Sequence, residues 1–239
     1  TMIFLFVLPH ERLGIRRFVH IHFSQLLMEF LSHPIFSYVD QISSPEPEIL
    51  QRLHRATHLK TLYPRMISGH LQGRFLSLLT HLIRPKRILE IGTFTGYACI
   101  CLAEGLPEGG HIDTLEMNAE LDFIIKPFLT EAGAIDKITV HYGKALDTLS
   151  TLSGPYDMVF IDADKANYLP YYHMIFDWVP SGGLILADNV LWDGKVIDRS
   201  HQDKETKGIQ AFNDFIRADD RVEKVLLPLR DGLFMIRKK

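Results

Sequence analysis

The spacing of apolar residues changes near residue 87. Before it, apolar positions recur at three- and four-residue steps. Ile49-Leu50-x-x-Leu53 begins a helix that runs to about Lys60, and Phe75, Leu78, Leu79 and Leu82 mark one face of a second helix, Leu71 to about Ile83. Ser43-Ser44-Pro45-Glu46-Pro47-Glu48 precedes the first with a serine cap, an early proline and acids for the first turn. Ser68-Gly69 opens the second and Pro85 ends it. From residue 87 onward, short apolar runs alternate with helical stretches. Strands are predicted at Arg87–Ile91, Ile112–Glu116, Ile138–Tyr142, Met158–Asp162 and Leu184–Ala187, with helices near 96–105, 119–133, 145–152, 169–179 and 204–218. Two more strands, Val222–Leu229 and Leu233–Arg237, flank Arg230-Asp231-Gly232, where the D-G step suits a tight hairpin. Five βα units and a closing antiparallel pair predict a doubly wound α/β sheet with a terminal hairpin and N-terminal helices. No repeat, low-complexity tract or linker divides residues 1–239, which read as one domain: an N-terminal helical part to residue 65 and a core from 66 to 239.

Composition narrows this picture without redirecting it. A chain of 239 residues, 46% apolar and with net charge −3, is long enough for one large core and suits no strong polyanion partner overall. The charge is uneven, however. Residues 46–87 hold eight Lys/Arg against two acids, residues 88–239 fifteen against twenty-four, and eight of the twelve histidines precede residue 88. Such a basic front could meet an anionic substrate or RNA, or be an ordinary solvated helix face. Cys99 and Cys101 point to nearly opposite sides of a helix, which fits small core residues in a reducing, cytoplasmic setting rather than a disulfide or a metal pair. The apolar run Met2–Leu8 is too short for a membrane span and lacks the flanks of a secretory signal. Residues 1–27 fit the rest badly, and Met28 offers an alternative start, so they read as an upstream extension.

Candidate chemistry gathers at the predicted strand ends. Ile88 to Ile91 run into Gly92-Thr93-Phe94-Thr95-Gly96-Tyr97, the strand, glycine turn and helix of a nucleotide-binding unit. Phe94 and Tyr97 stand where G-x-G-x-x-G needs glycine, which opposes a nicotinamide dehydrogenase. Glu90 is an acid in an apolar strand end, read either as a salt-bridged or capping acid or as one facing a cationic cofactor or the loop N–H groups. Glu116 ends the second strand, 24 residues after Gly92, where this type of fold places an acid on ribose hydroxyls. Asp162 in Phe160-Ile161-Asp162-Ala163-Asp164-Lys165, and Asp188 and Asn189 in Ala187-Asp188-Asn189, end the fourth and fifth strands on the same edge. Oxygen donors without Cys or His make a hard-cation set, suited to Mg²⁺ (or Mn²⁺ or Ca²⁺) and not to zinc. Lys165 is close enough in sequence to reach the same centre. Trp192 follows on the next loop, either as a stacking surface for an aromatic substrate or as an apolar lid.

E-I-G-T-F-T-G-Y, F-I-D-A-D-K-x-N-Y and A-D-N-V-L-W-D-G, in this order, resemble the cation-dependent O-methyltransferases, the caffeoyl-CoA and catechol O-methyltransferase relatives. The likeness runs from about Met66 to the C-terminus and includes L-P-L-x-D-G-L. It implies a seven-stranded, Rossmann-like class I methyltransferase sheet, S-adenosylmethionine as cofactor, a vicinal dihydroxy aromatic substrate and a homodimer. The resemblance implies a metal on Asp162, Asp188 and Asn189, with Lys165 as the base and Asp162 touching both metal and cofactor. Cofactor contacts are implied for Glu90, Gly92, Tyr97, Glu116 and Ala145, with Met66 and Ser68 lining the pocket. Two departures stand out: Ala98 replaces the family's serine after G-Y, and Gln72 replaces a glutamate of the plant enzymes. Some bacterial relatives methylate hydroxyuridine in tRNA, an alternative that only the basic front favours. A non-catalytic domain on this fold is opposed by the full metal set and Lys165.

Overall fold

A computed structural model of the chain describes residues 33–239, and the expected upstream extension lies outside the described residues. Residues 39–239 form one compact unit. α1 (His33–Ile42) is the first described element, and everything after it belongs to this unit. There, α2 (Glu48–Lys60) and α3 (His70–Ile83) precede β1 (Arg87–Ile91), α4 (Tyr97–Ala103), β2 (His111–Glu116), α5 (Asp122–Glu131) and β3 (Ile138–Tyr142). Then come α6 (Ala145–Leu149), β4 (Met158–Ile161), α7 (Tyr168–Ile175), β5 (Leu184–Asp188), α8 (Lys204–Ala218), β6 (Val222–Leu227) and β7 (Leu233–Lys238).

The seven strands form one sheet in the order β3-β2-β1-β4-β5-β7-β6. β1 to β5 are parallel, and β7 runs antiparallel between β5 and β6. The order reverses between β1 and β4, and a doubly wound sheet binds ligands beyond the carboxyl ends of the strands at such a switch point. Register decides what gathers there. Ile91 lies beside Ile161, and Ile161 beside Ala187, so Gly92, Asp162 and Asp188 follow at three adjacent strand ends.

Period-two alternation divides the buried strand residues between two cores. Ile88, Ile112, Met158, Phe160 and Leu186 pack with α2 to α5, whereas Leu89, Ile91, Val159, Ile161 and Ile185 pack with the tyrosines of α7 and with Ile209 and Phe212 of α8. Glu90 shares the parity of Ile88 and so points among the residues of the first core, fully buried.

Three local expectations are corrected. Ser43 does not cap α2. Its hydroxyl donates to the Val39 carbonyl, and α2 starts after Pro47 without a side-chain cap. On α3, the buried residues are Gln72, Gly73, Leu76, Ser77 and Thr80, while Leu78 and Leu82 are exposed. The reason is close approach: a Cβ on Gly73 would lie 2.7 Å from the Tyr97 ring and 2.8 Å from Cys101 Sγ, so α3 presents its small residues to α4. The β6–β7 connection is longer than a D-G hairpin. Arg230 (φ 51°) and Gly232 (φ 89°) carry the positive φ, and Asp231 does not. The turn is tied down by Leu191 N–H on Asp231 O (2.9 Å) and Val190 N–H on Gly232 O (3.1 Å), which sets it beside the segment that follows β5.

Candidate active site

The site is built on the carboxyl ends of β1, β2, β4 and β5. Gly92 has φ +107°, and a Cβ there would lie 2.0 Å from the Asp162 carbonyl oxygen, so only glycine lets the β1 turn pass this close to the end of β4. Asp162 N–H donates to Ile91 O at 2.9 Å, locking the two ends together. The turn is held from β2 as well. Glu116 accepts the N–H of Phe94 on one carboxylate oxygen (2.7 Å) and that of Asn118 on the other (2.8 Å). Burial raises the Glu116 carboxyl above its usual range, against these backbone donors. Each oxygen keeps a second lone pair for a hydroxyl donor.

Glu90 lies deeper. Its Oε2 accepts from Thr114 Oγ1 at 2.5 Å, Thr114 meets Thr93 at 2.6 Å, and its Oε1 is buried with no partner. Burial pushes this carboxyl up to about 8, against the bond from Thr114. An unpartnered buried carboxylate oxygen beneath a glycine turn is the kind of orphan that a bound cation or donor satisfies.

On the other side of the switch point, Lys165 Nζ donates to Asp162 Oδ1 (2.9 Å) and to the Tyr168 hydroxyl (2.6 Å), with only 8% of Lys165 exposed. Tyr168 is fully buried, and its hydroxyl donates to Asp188 O at 2.9 Å. Asp188 is fully buried too. Its Oδ2 accepts from Gln72 Nε2 (2.8 Å) and its Oδ1 from the Asn189 N–H (2.9 Å). Burial and the neighbouring Asp162 charge push the Asp188 carboxyl up to about 6. Two neighbouring carboxylates, with a part-exposed amide at Asn189 (φ 57°), form an oxygen-only donor set that fits a hard divalent cation. Among the described residues no group of three His, Cys, Asp or Glu is placed to hold a metal, and the third candidate here is the amide of Asn189.

The remaining candidates spread around this centre. Ser68 is buried, Met66 is 56% exposed, and Ala145 starts α6. Tyr97 is placed differently from a ligand-facing side chain. Its ring packs on Gly73 and its hydroxyl donates to Glu46, so what it offers the glycine turn is its N–H in the first turn of α4. Trp192 lies on the loop after Asn189, its Nε1 buried and unpartnered and its ring 5.7 Å from Lys195 Nζ.

Sequence reasoning missed Tyr168, Thr114, Arg230 and Gly208, and met Gln72 only as a departure from the plant enzymes. The first was visible only as the tyrosine closing D-A-D-K-x-N-Y. Gly208 of α8 has no chemistry of its own, yet a Cβ there would lie 2.5 Å from the Lys165 carbonyl.

An α/β sheet of this order, with a glycine turn at the switch point and acids on the adjacent strand ends, defines a class I methyltransferase fold. The O-methyltransferase family model matches residues 40–239. Caffeoyl-CoA O-methyltransferase 5 of Nicotiana tabacum is 34% identical over 222 residues, covering 87% of this chain and 92% of its own. The catechol O-methyltransferase of Niastella koreensis is 38% identical over 162 residues, 66% of this chain and 73% of its own. Among solved structures, the O-methyltransferase of Bacillus cereus in complex with SAH superposes with TM-score 0.81 at 33% identity, over 86% of this chain and 97% of its own. TomG of Streptomyces achromogenes, in complex with SAM, gives 0.80 at 30%, over 86% and 96%. The chain therefore belongs to the O-methyltransferase family and is an enzyme of that class. None of its described helices is long and apolar enough to cross a membrane.

Proposed function

We propose that the enzyme transfers the methyl group of S-adenosylmethionine to one hydroxyl of a vicinal dihydroxy aromatic, with a divalent cation held by Asp162, Asp188 and Asn189. The observation that carries this reading is the buried Lys165 paired with the half-buried Asp162, one strand away from the buried Asp188, at the switch point of the sheet. The names of the relatives, caffeoyl-CoA and catechol O-methyltransferases, support the substrate class.

A divalent cation in this donor set supplies positive charge that makes a phenol easier to deprotonate and orients the neighbouring hydroxyl. The chain's own residues supply the rest. Glu116 accepts from the ribose hydroxyls with the lone pairs its loop contacts leave free. Glu90 turns its orphan oxygen toward the cationic end of the methyl donor. Met66, Ser68, Gly92, Ala145 and the Tyr97 N–H line the same cleft. Lys165 takes the proton from the attacking hydroxyl as the carbon–oxygen bond forms and the carbon–sulfur bond breaks. Asp162 and Tyr168 fix its amino end, so acceptor and substrate meet in one orientation. The exposed Leu78 and Leu82 of α3 offer an apolar face for the homodimer that belongs to this reading.

The test is methyl transfer to catechol, to a monophenol and to bulk RNA, each with Mg²⁺ and after EDTA treatment with verified metal removal. Transfer to catechol alone, lost in EDTA and restored by Mg²⁺ or Mn²⁺, is the expected result. Full activity without metal would remove the cation from the mechanism. Transfer to RNA alone would replace the substrate.

A further inference from the structure

Asp188 is held by a chain of hydrogen bonds that reaches across the molecule. Arg230 Nη1 donates to Gln72 Oε1 at 2.9 Å, and Gln72 Nε2 donates to Asp188 Oδ2 at 2.8 Å. The other arm of Arg230, Nη2, donates to the Ile67 carbonyl at 3.0 Å. Three distant segments thus meet: the β6–β7 turn, the first turn of α3 and the end of β5. The amide in the middle is fully buried.

The chemistry of the three groups fixes their order. A guanidinium only donates, and a carboxylate only accepts. A side chain between them must accept on one side and donate on the other. Glutamine does this in one orientation only, oxygen toward Arg230 and nitrogen toward Asp188. A glutamate at 72 would put a second acceptor against Asp188, and a leucine would break the chain at both joints. Arg230 is itself held in the left-handed region (φ 51°) by a turn bonded to Leu191 and Val190, three and two residues beyond Asp188. The turn that anchors the arginine is therefore braced against the strand end whose carboxylate the arginine orients.

Resting on the cation site proposed above, we propose that Gln72 and Arg230 are positioning residues: a buried amide relay that holds the Asp188 carboxylate in the one orientation from which it binds a divalent cation. Gln72 sets the carboxylate, and Arg230 sets Gln72. Neither touches the substrate.

The experiment measures Mn²⁺ binding to the otherwise unliganded full-length enzyme by calorimetry and by the electron paramagnetic resonance signal of free Mn²⁺. It compares wild type with Asp188→Ala, Gln72→Leu, Arg230→Ala, Arg230→Lys and the Gln72→Leu/Arg230→Ala double variant. Gln72→Leu is expected to weaken Mn²⁺ about tenfold, the scale of one hydrogen bond to a charged group. Arg230→Ala should weaken it about threefold to fivefold, because the amide can then turn over, and Arg230→Lys should recover part of that loss. The decisive result is coupling: in the Gln72→Leu background, Arg230→Ala should change Mn²⁺ affinity no further, since its route to Asp188 is already cut. Independent, multiplying losses would overturn the relay, as would wild-type affinity in either single variant. If Gln72→Leu does not fold, the Arg230→Ala and Arg230→Lys pair at the turn carries the test, and wild-type affinity in both overturns the proposal. Failure of wild type to bind Mn²⁺, or unchanged binding in Asp188→Ala, would instead overturn the cation site itself.

Discussion

Replacing Glu90 by glutamine removes a charge that the fold resists carrying. Glu90 is fully buried, its Oε1 has no partner, and burial raises its carboxyl from the ordinary 4.5 to about 8. A carboxyl whose folded value lies above its unfolded one contributes stability that is fully present below the unfolded value and is lost as pH rises through the folded value. Between those limits the unfolded chain has released the proton and the fold has not. Wild type should therefore lose stability at about 1.4 kcal/mol per pH unit from this group, reaching about 5 kcal/mol by pH 8. The amide of the Glu90→Gln variant does not titrate, so every other group's contribution cancels in the comparison. Urea unfolding of both proteins at pH 5, 6, 7 and 8 reads the difference, with equal m-values as the check on two-state behaviour. The expected result is a gap between Glu90→Gln and wild type that widens with pH by several kcal/mol. Its offset at pH 5 is set by how well the amide fits Thr114, so the slope alone is the test. A second arm addresses function. A cationic ligand beside this carboxyl would lower its value, so binding of S-adenosylmethionine at pH 7 should release close to one proton in wild type and none in Glu90→Gln. Calorimetry in buffers of different ionisation enthalpy measures that proton. Parallel stability profiles would refute the burial argument, and equal proton release would refute Glu90 as the group facing the cation.

Lys165→Met should lower kcat by about 10²–10⁴ while leaving Mn²⁺ affinity within a few-fold of wild type, read by initial rates and calorimetry. Gly92→Ala combines φ +107° with a Cβ 2.0 Å from the Asp162 carbonyl, so Asp162 must move; a stability loss of about 3 kcal/mol or more and loss of Mn²⁺ binding are expected in urea unfolding and calorimetry. Glu116→Ala should weaken S-adenosylmethionine by about 1.5–3 kcal/mol in calorimetry, and unchanged affinity would remove the acid from the ribose position.

The fold was legible because a parallel sheet repeats one signal. Each apolar run ends in a turn of different chemistry, and each predicted strand lies within a residue or two of the observed one, for example Leu184–Ala187 against Leu184–Asp188. That Gly92, Glu116, Asp162 and Asp188 share one edge was legible for the same reason, since parallel strands bring all their carboxyl ends together. What failed was side-chain direction. Leu78 and Leu82 of α3 face outward, while Phe75 and Leu79 still pack on the core, because Gly73, Ser77 and Thr80 allow a closer helix contact than leucines would. The motif does not show which way the Tyr97 ring turns, and the ring fills the contact between α3 and α4. Gln72 and Arg230 are ordinary residues 158 positions apart, and nothing in a linear pattern joins them. Only the register of the β6–β7 turn against the end of β5 does so.

Tyr168 presents the remaining choice of proton acceptor, because its hydroxyl lies 2.6 Å from Lys165 Nζ in the same site. Its surroundings decide against it. The phenol is fully buried, and burial together with the charges of Asp162 and Asp188 holds it well above its ordinary value, so it stays protonated at any working pH. A protonated phenol can only pass its hydrogen to an acceptor, and one is in place: the Asp188 carbonyl at 2.9 Å, with the Ile161 carbonyl at 3.3 Å. Tyr168 thus ties the end of β5 to the end of β4 and turns a lone pair toward Lys165. Tyr168→Phe keeps the ring, which stacks edge-on against Phe212 at 5.6 Å, and deletes only the tie. The Asp188 carbonyl then loses its donor and Lys165 keeps Asp162 alone, at a cost of about 1–3 kcal/mol in stability. A fall in kcat of about tenfold is expected from the looser lysine, with the shape of the pH–rate profile preserved. Were Tyr168 the base, Tyr168→Phe would instead remove a limb of that profile and cost as much as Lys165→Met. That outcome would transfer the proton-accepting role from Lys165 to Tyr168.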